Sequence, residues 1–202
     1  NEDEVSVCER NDTIFVQGNS GIAFSSDGLQ NWETLATPGL KGPLNACFFT
    51  ASGAIVSCTR HGIFRAEFPG AEFLPTEGFS CPNVLTALHE NNGAWWLGLS
   101  DGLFYSPDNG ITWQQKLTQF TGSDLDITKI KKSGNSIVAA SIRRLFYSPD
   151  NGLHWTERTI PSDLISDIGL IGQRLFTGKS SGSWYSDDWG ATWQLFNPNA
   201  IN

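Results

Sequence analysis

The sequence predicts an all-β fold, a five-bladed β-propeller of four-stranded antiparallel blades with about 40 residues to a blade. Three observations predict it. The stretch SPDNGITW at 106–113 returns as SPDNGLHW at 148–155 and again as SDDWGATW at 186–193. These octets recur at a near-constant step, their closing tryptophans Trp113, Trp155 and Trp193 lying 42 and 38 residues apart. Between them the chain runs in short β-branched and aromatic segments bounded by Gly, Asn, Asp and Ser, and no stretch carries a long apolar stripe at helical spacing. A reaction centre is needed once per domain, so a feature repeated at fixed spacing is architecture.

Counting back from Trp113, the octet SSDGLQNW ends at Trp32, 81 residues earlier and about two steps away. A worn copy stands between: GIFRAEFPGAEF at 62–73 matches GIAFSSDGLQNW at 21–32, with Phe73 in the tryptophan place and the Ser and Asp gone. One domain over 1–202 therefore holds five repeats, at roughly 4–43, 44–83, 84–124, 125–163 and 164–202. Each begins with a short apolar strand (VSVCE, LNACFF, VLTALHE, ITKIK, ISDIGL). A polar turn leads to a second strand (TIFVQ, AIVSC, AWWLGL, SIVAA, RLFTG), and a Gly-rich or charged turn to a third (GIAFS, GIFR, GLFYS, RLFYS, GSWYS). The octet follows, then a last strand opened by the aromatic residue. Trp95 and Trp96, adjacent on a strand, point to opposite faces and belong to the core.

The octet is a hairpin staple. An Asp carboxylate accepts backbone N–H groups a few residues on, a glycine supplies positive φ, and the Trp lays a large apolar face on its neighbours. Ser25, Asp27 and Trp32 hold these places in the first copy; Ser106, Asp108, Gly110 and Trp113 in the third; Ser148, Asp150, Gly152 and Trp155 in the fourth; Ser186, Asp188, Gly190 and Trp193 in the fifth. These residues are read as structural, and no catalytic residue is assigned.

The pattern Ser-x-Asp-x-Gly-x-Thr-Trp resembles the Asp-box, or bacterial neuraminidase repeat, of sialidase, sortilin-type and photosystem II assembly factor propellers. The third and fifth copies match in full; the fourth has His154 for Thr, and the first has Leu29 and Asn31 for Gly and Thr. The sialidase activity that the resemblance raises needs an arginine cluster, a tyrosine nucleophile paired with an acid, and a further Asp. Tyr105, Tyr147 and Tyr185 each stand directly before a box serine, as parts of the repeat. Sialidase propellers are also six-bladed and longer, so that activity is not expected.

A net charge of −8 argues against nucleic acid and anionic membranes as partners, and no apolar run is long enough to insert in a membrane. With no Met in the chain, the expectation is a trimmed, exported protein, extracellular, periplasmic or on a cell surface. Asn11, Asp12 and Thr13 form a sequon in a turn. Cys8, Cys47 and Cys58 fall where other repeats carry small or aliphatic residues; any disulfide would involve Cys81, with the pairing open. His61, His89 and His154 occur singly, without a ligand-spaced partner, so neither metal nor cofactor is expected.

Binding remains. In a propeller the turns between second and third strands share a face with the loops between blades. Those turns gather Arg60, His61, Arg143, Arg144 and Lys179, and the loops add Phe79 and Phe120 as the candidate binding face. Trp189, where Asn109 and Asn151 occur in the sister boxes, is read as an exposed aromatic on the opposite face. The expected function is non-enzymatic recognition or scaffolding, with a protein or glycan ligand. The alternative is a glycosidase-like enzyme using rim carboxylates, with Glu90, Asp101, Asp126 and Asp167 as candidates. No strand is exchanged between the ends, so the expected assembly is a closed monomer, the alternative a homodimer completing a larger ring.

Overall fold

The structure is a computed structural model that describes residues 6–10, 12–18, 21–40, 44–49, 54–59, 61–76, 84–90, 92–160, 164–179 and 182–196; the side chains of 6–10, 17, 18, 44–49, 84, 89 and 179 lie outside that description. The readings on Asn11, Arg60, Phe79 and Cys81, and on the side chains of Cys8, Cys47, His89 and Lys179, therefore fall outside the described residues.

Every regular element among the described residues is a strand. The first sheet holds β1 (Ser6–Arg10), β2 (Thr13–Gly18), β3 (Gly21–Ser25) and β4 (Glu33–Leu35). The second holds β5 (Leu44–Phe49), β6 (Ile55–Thr59), β7 (Gly62–Ala66) and β8 (Leu74–Pro75). The third holds β9 (Val84–His89), β10 (Trp95–Leu99), β11 (Gly102–Ser106) and β12 (Gln114–Lys116). The fourth holds β13 (Lys129–Ser133), β14 (Ser136–Ala140), β15 (Leu145–Ser148) and β16 (Thr156–Arg158). The fifth holds β17 (Asp167–Ile171), β18 (Arg174–Lys179), β19 (Gly182–Ser186) and β20 (Gln194–Phe196). In each sheet the strands lie side by side in chain order, a simple antiparallel meander.

Burial explains the sequence of the strands. β6 (IVSCT) and β10 (WWLGL) are buried along their whole length, as continuous apolar runs require when both faces of a strand are covered. The short outer strands β12 (QQK), β16 (TER) and β20 (QLF) are mostly exposed, and the first two are wholly polar. Each fourth strand starts one residue after its aromatic residue, not on it. Trp113 Nε1 donates to Gly110 O (3.2 Å) and Trp155 Nε1 to Gly152 O (3.1 Å), so the indole closes the hairpin while the ladder begins beyond it.

The chain packs as two compact units, Asn1–Val84 with His89–Trp95 and Tyr105–Gln114 in the first, Leu85–Leu88 with Trp96–Phe104 and Gln115–Asn202 in the second. In the first, Phe15, Ile22, Leu35, Ile55, Phe64 and Phe73 form a buried cluster. In the second, Val138, Ala140, Leu145, Ile165, Ile168 and Leu175 do the same, with Tyr147, Trp189 and Trp193 packed on them. Trp95 and Trp96 are buried as read from the sequence. Trp32 departs from its expected packing role, remaining 47% exposed. No helix among the described residues is long and apolar enough to cross a membrane.

Candidate functional site

The four polar boxes share one bonding scheme. The serine hydroxyl donates to the aspartate Oδ1, at 2.9 Å for Ser25 and Asp27, 2.8 Å for Ser106 and Asp108, 2.9 Å for Ser148 and Asp150, and 2.7 Å for Ser186 and Asp188. The same serine oxygen accepts the backbone N–H four residues on, from Leu29, Gly110, Gly152 and Gly190. Oδ1 also accepts the N–H of the residue in the Thr place, and that residue's side chain reaches Oδ2. The reach is Asn31 Nδ2 at 2.7 Å, Thr112 Oγ1 at 2.6 Å, His154 Nδ1 at 2.5 Å and Thr192 Oγ1 at 2.6 Å. Asn31 and His154 looked like departures from the repeat; each does the work of threonine, His154 from a side chain otherwise in solvent.

These carboxylates are committed to the hairpins. The N–H of Asn31 holds Asp27 at a pKa of about 2, and Asp150 is held at about 2 chiefly by the N–H of His154. Asp188 is brought to about 2 by the Thr192 hydroxyl and N–H. For Asp108 burial pushes upward, but the Thr112 hydroxyl and N–H outweigh it and the net shift is downward. Groups so stabilised as anions are poor proton donors near neutral pH, which fits a structural role. Because the folded-state values lie below the ordinary 3.8, the stability these groups contribute is present above pH 3.8 and lost as pH falls toward about 2. An acid titration followed by circular dichroism should show unfolding in that window, moved to higher pH by Asp188→Asn; a flat response from pH 4 to 2 would contradict it.

The second repeat lacks this scheme. Ala66, fully buried, takes the serine place, Phe68 the aspartate place with 62% of its surface exposed, and Glu72 the threonine place. The turn persists all the same, through Ala71 N–H to Phe68 O at 3.0 Å, and Phe73 stays buried with its N–H on Pro38 O at 2.7 Å. With no aspartate to bond, Glu72 instead borders a cleft of about 490 Å³ lined by Gly39, His61, Phe64, Glu72, Phe73, Leu74 and Pro75. His61, Glu72 and Leu74 are exposed on its walls, and Phe64 and Phe73 form a buried apolar floor. Sequence reasoning had named His61 as a candidate and had not named Glu72 or Leu74, which border the same cleft; the signal for them was the wear of the octet itself.

The other candidates disperse. Arg144 forms a two-pronged ion pair with Glu157 (Nε to Oε1 2.8 Å, Nη2 to Oε2 2.9 Å) and donates through Nη1 to Thr121 O and Ser123 O. Its guanidinium lies over Phe120 and Phe146, whose rings are 4.9 Å apart, and the bonds to Glu157 raise its pKa. Arg144 and Phe120, expected on a binding face, are thus one packed clamp. Facing strands made it: Phe146 pairs with Glu157 in the β15–β16 register. Arg143 beside it remains exposed. Trp189, expected in solvent, stacks on Tyr147 at 5.4 Å and 18°.

Of the rim carboxylates, Asp167 accepts from the Ile168 N–H and lies 3.6 Å from Lys129 Nζ, while Asp101 and Asp126 are exposed and Glu90 is half-buried. Among the described residues there is no group of three or more His, Cys, Asp or Glu able to hold a metal ion.

No protein-family model matches the chain, and no curated protein does. Solved structures do. The structure is similar to YCF48 bound to a D1 peptide (15% identity, 94% of this chain and 65% of that one, TM-score 0.69) and to YCF48 from Cyanidioschyzon merolae (15%, 97% and 72%, 0.68). It is similar too to an ancestral GH74 enzyme (14% identity, 98% and 32%, TM-score 0.73) and to the extracellular domain of a hybrid two-component system protein from B. thetaiotaomicron (11%, 96% and 29%, 0.71). These are β-propeller proteins, and the likeness places the five four-stranded sheets in that fold class. The chain spans about two thirds of the first of them and about a third of the GH74 enzyme.

Proposed function

We propose that this chain is a non-enzymatic recognition module of an exported protein and that it holds a segment of a protein ligand in the cleft of the second repeat. The observation that carries the reading is local. The one repeat that has given up its polar staple is the one whose threonine-place residue faces a cleft, and proteins break their own repeat rules where a site requires it. The cleft falls within the size range of ligand sites and offers what a short extended segment needs: an apolar floor from Phe64 and Phe73, an apolar edge at Leu74, and a carboxylate and an imidazole to fix orientation. Two neighbours lend support at the level of fold, one solved with a peptide bound and one an extracellular domain. Glycan is the other ligand class the sequence allows, and the assay below separates it.

The test pairs a displayed peptide library with a soluble glycan panel, each against the wild type and the Leu74→Asp and Glu72→Ala variants. Peptides selected by the wild type are expected to lose affinity about tenfold or more in Leu74→Asp, the usual consequence of removing an apolar anchor. Peptide binding indifferent to both variants, or conversion of any glycan in the panel, would overturn the reading.

A further inference from the structure

Two residues where the fourth and fifth repeats meet are worse for stability than the residues their sister repeats carry. The first is Trp189. It holds a box place filled by Asn109 and Asn151 in the third and fourth repeats, and Asn109, Asn151 and Trp189 all have positive φ, 58°, 56° and 58°. Asparagine tolerates that left-handed backbone, whereas a bulky side chain is strained there. The asparagines also serve their own repeats: Asn151 Nδ2 donates to Asn135 Oδ1 at 3.1 Å, and the Asn109 N–H to Gly93 O at 3.0 Å. The Trp189 side chain lies instead on the repeat before it, stacked on Tyr147.

The second is Arg158, on β16 three residues past the box tryptophan, where the first and fifth repeats carry Leu35 and Phe196 and the third Lys116. Its Nε is hidden from water and has no hydrogen-bond partner. Arg65, Arg144 and Arg174 each hold a carboxylate, of Glu67, Glu157 and Asp187, but no carboxylate among the described residues is paired with Arg158. Its neighbour Glu157 is already held by both prongs of Arg144. A polar atom out of water and without a partner is destabilising, and leucine in this place would avoid it.

Both departures fall at one place. The Arg158 guanidinium lies over the Tyr147 ring, its carbon 5.1 Å from the ring centre, and Tyr147 is the ring on which Trp189 stacks. A Cβ on Gly190, next to Trp189, would stand 3.6 Å from Arg158 Cβ. Trp189, Tyr147 and Arg158 are all half-buried, so each keeps part of its surface within reach of a ligand. The place of Trp189 stays open where a further repeat follows, since Asn151 is exposed with the fifth repeat packed on the fourth. Strain and an unpartnered polar atom in one spot mark a site kept for something other than stability.

We propose that Trp189, Tyr147 and Arg158 form a second binding site, for a carboxylate carried on a ring, in a uronic acid unit of a glycan or in an aromatic acid. The two terminal nitrogens of the guanidinium match the two oxygens of a carboxylate. The aromatic pair beside it supplies the flat apolar surface on which a ring can lie. One guanidinium balances one negative charge, which in a chain of net charge −8 fits a carboxylate better than a phosphate. None of these residues lines the cleft of the second repeat, so the two readings stand or fall separately.

Titration calorimetry with benzoate and glucuronate, set against acetate, glucose and inorganic phosphate, tests it. At least one ring acid is expected to bind the wild type saturably, with a Kd of about 1 mM for a fragment of this size, and more tightly than the other three probes. Whichever of the two binds more tightly identifies the ring as that of an aromatic acid or of a sugar acid. Arg158→Leu should weaken this binding about tenfold or more. The urea midpoint of that variant without ligand should stay at or above the wild-type value, because the unpartnered polar atom is gone. Trp189→Asn, which restores the sister residue, should leave the ring acids binding no better than acetate. Absence of saturable binding by both ring acids, a preference for phosphate, binding indifferent to Arg158→Leu, or a lowered urea midpoint in that variant overturns the proposal.

Discussion

Replacing Gly152 by alanine is expected to destabilise the fold by about 2–5 kcal/mol, far more than one methyl costs elsewhere on the surface of a hairpin. Two causes act together. Gly152 has φ of +77°, and its added Cβ would stand 2.2 Å from the Trp96 ring, which is fully buried and cannot swing away. Gly28 separates the causes: its φ is +72° but nothing lies within 4 Å, so Gly28→Ala should lose only the backbone contribution, about 1 kcal/mol after the gain from a stiffer unfolded chain. Gly190 falls between, since the atom it would meet at 2.8 Å is the tip of the Leu145 side chain. Urea unfolding midpoints of the three variants check the order. If Gly152→Ala proved no worse than Gly28→Ala, the hairpin would not lie against the Trp96 ring.

The contact of this hairpin with Trp96 could not be read from the sequence, whereas the hairpin itself could. The octet is a local device: Ser148, Asp150 and Gly152 bond one another within four residues, so their spacing alone reveals the turn. The sheets were legible for a similar reason, because runs such as WWLGL and IVSCT between Gly and Asn turns have few alternatives to a covered strand. The site was less legible. Arg144 and Phe120 looked like surface residues because their partners, Glu157 and Phe146, are brought to them by strand pairing and packing and not by proximity in sequence. Trp189 was misjudged in the same way, its partner Tyr147 lying one repeat earlier. The loss of the second box was visible, but its consequence was not: that Glu72, released from any aspartate, borders a cleft depends on where the loop at Gly39 crosses Phe73.

Trp155→Ala is expected to cost about 3–5 kcal/mol, the range for a buried tryptophan truncated in a core that cannot collapse around the void. The indole is 9% exposed, meets Trp96 edge to face at 6.1 Å, and donates to Gly152 O, so its removal empties the hairpin and uncovers Trp96 together. The same substitution at Trp32 should cost about 1 kcal/mol, since half of that ring is already in solvent and transfer free energy follows the area hidden from water. The contrast matters because sequence gives both residues the same place in the same repeat. Thermal or urea unfolding of the two variants, measured in dilute protein, would expose it. Equal costs would mean that Trp32 is covered as fully as Trp155.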